Sequence, residues 1–148
     1  MSSYRLENEN ATRKLGAYLS QYVQAGDCIA LTGNLGAGKT TFARGFIEAV
    51  SGVSDVPSPT YTLVQTYETK AFEIWHCDLY RLDRPDDVLE LGLLDAFEDC
   101  VCLIEWPERA GGYLPKDCKT VHIEFETRGR RVRFTNWPND LEMAQFNA

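Results

Sequence analysis

Residues 33–40 read Gly-Asn-Leu-Gly-Ala-Gly-Lys-Thr, and no other stretch limits the fold of this chain so tightly. The spacing is G-x-x-x-x-G-K-[ST], the phosphate-binding loop that joins a strand to a helix. An apolar run from Cys28 to Leu31 precedes it, and a helical pattern with Phe42, Phe46, Ala49 and Val50 on one face follows. Glycines let the backbone curl until its N–H groups point inward at phosphate oxygens. A helix starting near Gly38 adds its positive N-terminal end. Lys39 supplies a point charge for outer phosphates, and Thr40 a hydroxyl for Mg2+, which prefers hard oxygen ligands. A chance match is expected about once in two hundred chains of this length. The bland alternative is a Gly-rich turn that contains a lysine by accident, and the flanking strand and helix patterns argue against it.

At 148 residues, 25% of them charged and 44% hydrophobic, the chain is expected to form a single domain over residues 1–148. No apolar stretch approaches a membrane span, and the N-terminal residues lack the apolar core of a signal peptide, so the expected place is the cytoplasm. The five cysteines, at positions 28, 77, 100, 102 and 118, form no C-x-x-C pair and read as reduced and mostly buried. With only His76 and His122 beside them, zinc spacing is lacking. A net charge of −7 makes the chain a poor general binder of nucleic acid. The local exception is Arg128-Gly129-Arg130-Arg131-Val132-Arg133, read either as a solvated hairpin edge or as a contact strip for nucleic acid.

Taken in order, Tyr4-Arg5-Leu6 suggests a short strand. Asn10 then caps a helix to about Gln24, with Leu15, Tyr18, Leu19, Tyr22 and Val23 on its buried face. The helix after the glycine loop ends near Ser51-Gly52. Tyr61–Tyr67 and Phe72–Asp78 read as a hairpin. Pro85 at the first helical position opens another helix, which Gly92 interrupts. Val101–Ile104 is continuously apolar, as in a strand covered on both faces. Thr120–Glu126 and Arg131–Thr135 form a last hairpin, and the tail from Asn136 is expected to be polar, one helical turn or disordered. The fold class is therefore α/β: a three-layer, P-loop NTPase-like fold with a central, mostly parallel but mixed sheet flanked by helices.

Ligands of open α/β sheets bind beyond the carboxyl ends of the strands. Three strands end there in polar residues: the glycine-loop strand, the strand ending at Asp78 and the strand ending at Glu105. Glu105 follows four apolar residues and is either a ligand of metal or water near a phosphate, or a buried acid in an ion pair. Asp78 has the same two readings, with Arg81 as its structural partner. Thr60, in a Pro-rich loop, is either a switch residue reaching an outer phosphate or an ordinary loop threonine. Trp106 can stack, cover the site or pack in the core. Arg44 and Arg109 are possible charge stabilisers, with solvation as the default. The N-K-x-D base-recognition pattern and the protein-kinase patterns are absent.

The segments 33–42, Ser58-Pro59-Thr60-Tyr61-Thr62-Leu63-Val64, His76-Cys77-Asp78-Leu79-Tyr80-Arg81-Leu82 and Ile104-Glu105-Trp106-Pro107-Glu108-Arg109 occur in order with suitable gaps. Together they closely resemble the bacterial TsaE ATPase family over roughly residues 4–135. The resemblance implies a small Mg2+-dependent ATPase, weak alone and stimulated by partners. It would be required for threonylcarbamoyladenosine at position 37 of tRNA. The implied partners are TsaD and TsaB, with TsaD making the transfer and tRNA reached only through the complex. By the same resemblance Thr40 and Glu105 match the Mg2+ ligands. Asn34, Leu35, Gly36, Ala37, Gly38, Lys39, Thr40 and Thr41 match the ATP and ADP phosphate loop. Lys39, Thr60, Asp78 and Glu105 match residues of hydrolysis, and Trp106 a residue required for function. More loosely, Gly129-Arg130 and the segment Glu9 to Thr12 resemble parts that flank the nucleotide. Asn34 departs from the family, which often has an acid there. The alternatives are a small-molecule kinase with the same loop and a non-catalytic nucleotide-sensing module.

Overall fold

The computed structural model describes residues 3–34, 36–138 and 141–143. Among them seven strands, β1 (Ser3–Leu6), β2 (Cys28–Thr32), β3 (Val64–Glu68), β4 (Glu73–Asp78), β5 (Val101–Glu105), β6 (Lys119–Phe125) and β7 (Arg130–Thr135), form one sheet in the order β1-β7-β6-β2-β5-β4-β3. The central strands β6, β2, β5 and β4 are parallel, while β7, β1 and β3 extend the two edges antiparallel. The mixed sheet is the expected one.

Helices α1 (Glu9–Leu19) and α2 (Lys39–Ser51) cover one face. Helices α3 (Asp87–Leu91) and α4 (Leu93–Asp99), with a 3₁₀ turn at Pro107–Tyr113, cover the other. Side-chain alternation along β2 divides the two cores. Ile29 and Leu31 pack with Leu15, Phe42 and Phe46, whereas Cys28 and Ala30 pack with Leu93, Ala96 and Ile104. Every residue of β5 is buried, as a strand covered twice requires. All five cysteines are buried, unbridged and on the α3–α4 side. No helix among the described residues is long and apolar enough to cross a membrane.

The first two helices cross at glycines. A Cβ on Gly16 would lie 2.2 Å from the carbonyl oxygen of Phe42, and one on Gly45 would lie 2.1 Å from that of Arg13. Backbone therefore packs on backbone, which fixes the height of α2 and of the loop in front of it.

Several element ends differ from the sequence reading. Asn8, not Asn10, caps α1: its backbone is extended and its side chain accepts from the Ala11 N–H at 2.8 Å. The helix stops at Leu19 and continues as a 3₁₀ turn, Ser20–Tyr22, which leaves Tyr22 exposed. Thr12 and Gly16 take places on the buried face instead. On α2, Ala49 is exposed and Ala43 and Ile47 are buried. The hairpin strand starts at Val64 because Leu63 adopts a left-handed backbone, so Tyr61 stays in the loop, 85% exposed. Pro85 precedes the cap residue Asp86 and is not the first residue of α3. Of the tail, residues 136–138 and 141–143 are described; they contain no helical turn, and Trp137 and Met143 join the α1–α2 core.

Candidate functional site

The glycine loop leaves the carboxyl end of β2 at Gly33, where a Cβ would sit 2.0 Å from the carbonyl oxygen of Ile123 on β6. Gly36 and Gly38 have φ of 82° and 116°, in the left-handed region. The Ala37 N–H closes the turn onto the Asn34 carbonyl at 3.0 Å. Leu35 lies outside the described residues. Lys39 is the first residue of α2 and is buried.

Two cavities meet at this loop and share Gly36, Gly38 and Thr41. The first, about 170 Å3, is lined by Lys39, Thr40, Thr60, Asp78, Glu105 and Trp106. The second, about 360 Å3, is lined by Glu9, Thr12, Ala37 and Arg130 among others. The residues singled out along the sequence thus converge from six separate segments. A larger groove, about 540 Å3, lies between Gln24 and Trp137. Its Lys119 is already paired with Asp27 at 3.4 Å, and none of the glycine-loop residues reaches it.

In the first cavity Asp78 and Glu105 are both buried and stand opposite each other in the β4–β5 register. The Thr40 hydroxyl donates to Glu105, 2.9 and 3.1 Å from its two oxygens. Asp78 accepts from the Thr60 hydroxyl at 3.1 Å and from the Tyr80 N–H at 3.0 Å. Arg81 does not pair with it in the way the structural alternative supposed; its guanidinium lies 5.4 Å from the exposed Tyr61 ring. Lys39 Nζ donates to the Gly33 carbonyl at 2.7 Å and lies 3.6 Å from the Trp106 ring centre. Burial pulls the Lys39 ammonium below its ordinary range, against the opposing pull of Glu105, Glu108 and Asp78.

Trp106 has a left-handed backbone, half-buried, with its ring between Lys39 and Tyr80. It lines the cavity and also touches the α3–α4 core. Arg44 donates to the Val56 carbonyl at 2.9 Å, and the exposed Arg109 donates to the Leu82 carbonyl at 3.4 Å beside Tyr80; neither lines the first cavity.

The arginine run is divided by strand alternation. Arg130 turns toward the loop, donating to the Ala37 carbonyl at 3.2 Å. Arg131 and Arg133 point the other way and pair with Glu126 and Glu124. One residue carries more than its sequence position suggested. His76, two before Asp78 on β4, contacts Glu105; the signal was the i, i+2 spacing that puts both on one face.

The site suits a nucleotide phosphate with a hard cation. Two adjacent carboxylates would repel a polyphosphate alone, and a bound divalent cation would offset that repulsion. Thr40 and Glu105 offer oxygen ligands of the kind Mg2+ takes while keeping several waters. No group of three or more His, Cys, Asp or Glu side chains is arranged to hold a metal among the described residues.

A strand, a glycine loop with an embedded lysine, and a helix behind it, at the centre of a parallel sheet with acids on the neighbouring strands, define a P-loop protein of the α/β class. Residues 6–133 match the family described as "Threonylcarbamoyl adenosine biosynthesis protein TsaE", and the chain belongs to that family. A Rickettsia felis protein named tRNA threonylcarbamoyladenosine biosynthesis protein TsaE is 40% identical over 128 residues, 86% of this chain and 75% of that one. The Bacillus subtilis protein of the same name is 33% identical over 144 residues, 95% of this chain and 89% of its own. The crystal structure of Bacillus subtilis YdiB superposes with a TM-score of 0.77 at 30% identity, covering 96% of this chain and 89% of that one.

Proposed function

We propose that this chain binds Mg-ATP and hydrolyses it as a cytoplasmic subunit of the machinery that makes threonylcarbamoyladenosine at position 37 of tRNA. It acts on a TsaD–TsaB complex and does not itself transfer the threonylcarbamoyl group. The observation that carries this reading is the meeting of Lys39, Thr40, Thr60, Asp78 and Glu105 around one cavity at the glycine loop. The loop N–H groups and Lys39 bind the phosphates, with Asn34 to Thr41 forming the cradle. Glu9, Thr12 and Arg130 flank the nucleoside side. Thr40 and Glu105 are the residues that would hold Mg2+, which when bound neutralises charge on the outer phosphates. Asp78 orients a water for attack on the γ-phosphorus; the β–γ bridging bond breaks and ADP and phosphate leave. Thr60 holds the Asp78 carboxylate in place, and Trp106 keeps bulk water from Lys39.

The net charge of −7 agrees with a protein that reaches tRNA through partners. Steady-state Mg-ATP hydrolysis is measured with the purified chain, alone and with TsaD–TsaB. The expected result is low activity alone, a clear rise with the pair, and none with Lys39→Ala. A rate indifferent to the pair would detach the chain from this role. Phosphate transfer from ATP to a metabolite without partners would make it a kinase.

A further inference from the structure

Glu105 is held from two sides. Thr40 reaches it from α2, and the imidazole of His76 reaches it from β4, with Nε2 2.7 Å from Oε2. His76 lies opposite Leu103 in the β4–β5 register, so its ring leans two residues forward along the strands to meet Glu105. Both side chains are buried, at 0% and 3% exposure. A carboxylate can only accept, so the hydrogen of this bond sits on His76 Nε2. The other ring nitrogen, Nδ1, is buried without a partner among the described residues. Ile74 and Leu103, its neighbours on the same face, are wholly buried apolar side chains. A leucine at position 76 would fill such a place without burying an orphan polar atom, which costs stability. Among the described residues the imidazole makes one bond, and that bond ends on Glu105.

We infer that His76 is a positioning residue: its Nε2–H fixes the Glu105 carboxylate in the orientation that faces Thr40, so that the two oxygen ligands of the cation are presented together. Histidine and carboxylate partners of this kind orient the groups that bind a metal and tune its affinity. The inference rests on the reading of Thr40 and Glu105 as the cation pair.

The test is Mn2+ binding to the protein–ADP complex, followed by electron paramagnetic resonance of the free ion, with metal-free ADP affinity from calorimetry and a thermal melt for each variant. His76→Leu removes the donor. His76→Gln places an amide N–H near the Nε2 position, and His76→Asn places one near Nδ1. With His76→Leu, Mn2+ affinity is expected to fall by about tenfold or more, the range typical of orienting partners. Metal-free ADP affinity should stay within about twofold, because the loop and Lys39 are untouched. His76→Gln should restore most of the Mn2+ affinity and His76→Asn should not. Wild-type Mn2+ affinity in His76→Leu overturns the inference, as does equal rescue by Gln and Asn, which marks a packing role. If His76→Leu does not fold, the Gln–Asn comparison decides alone. Glu105→Gln is measured alongside. If it too keeps wild-type Mn2+ affinity, the cation-pair reading fails and the inference with it. If it loses affinity while the His76 variants do not, only the inference fails.

Discussion

Asp78 and Glu105 face each other across the parallel β4–β5 pair, two buried carboxylates at the same level of adjacent strands, each held by a threonine hydroxyl from a different segment. The partners separate their tasks. Thr40 ties Glu105 to the helix that carries the phosphate lysine, while Thr60 ties Asp78 to the Pro-rich loop.

Asp78→Asn preserves size but weakens the hold on an attacking water. Hydrolysis of Mg-ATP is expected to fall by about a hundredfold or more, with ADP affinity within about threefold of wild type. Stopped assays and ADP calorimetry check both halves. Undiminished turnover would remove Asp78 from the reaction.

Arg130 and Arg131 are neighbours in sequence on opposite faces of β7. Arg130→Ala is expected to weaken ADP binding by about tenfold, since a charged hydrogen-bonding group near the ligand contributes on the order of 1.5–3 kcal/mol. Arg131→Ala, whose charge is already paired with Glu126, should leave ADP affinity unchanged and stability within about 1 kcal/mol. Equal effects of the two would mean that the alternation does not divide the arginines.

Gly16→Ala forces a methyl group to within 2.2 Å of the Phe42 carbonyl oxygen. Alanine's better helix propensity offsets about 1 kcal/mol of the clash, and overpacking of this kind leaves a net loss of about 2–3 kcal/mol. For a domain of this size the midpoint should drop by about 5–10 °C. A melt that is unchanged or higher would show that the helices have room to separate.

Cys100 is the thiol whose behaviour with pH is most defined. Burial, aided by Asp99 and Glu73, pushes it from 9.0 to about 11. At pH 8 its thiolate fraction is about one in a thousand, so a disulfide reagent such as DTNB should react about a hundredfold more slowly than with a free thiol. The rate should rise about tenfold per pH unit toward about 11. Between 9.0 and about 11 the unfolded chain releases a proton that the folded chain keeps, so this residue's contribution to stability declines as pH rises through that window. A fast-reacting thiol at pH 8 in the native protein would contradict the burial of all five cysteines.

The glycine loop, the buried strand at Val101–Glu105 and the two carboxylates at strand ends were legible because each is a local pattern: fixed spacing, continuous hydrophobicity, a polar residue where an apolar run stops. The cap at Asn8 was misplaced by two residues because Asn8 and Asn10 offer the same side chain, and only backbone conformation separates them. Tyr61 looked like strand, yet the left-handed turn at Leu63 keeps it outside. The arginine run reads as one patch because sequence alone does not announce which residues of β7 face the glycine loop and which face away. The spacing of His76 to Asp78 places it on the site's face of β4, but its partner, Glu105, lies 29 positions away on another strand.

The two faces of β2 differ in bulk: Ile29 and Leu31 on one side, Cys28 and Ala30 on the other. A slip of one residue along its neighbours would drive the large pair into the shallow layer beneath α4 and leave the deep layer under α1 and α2 half empty. That asymmetry works as a key. It admits β2 in a single register, and so sets the distance by which the glycine loop protrudes from the sheet before any phosphate arrives.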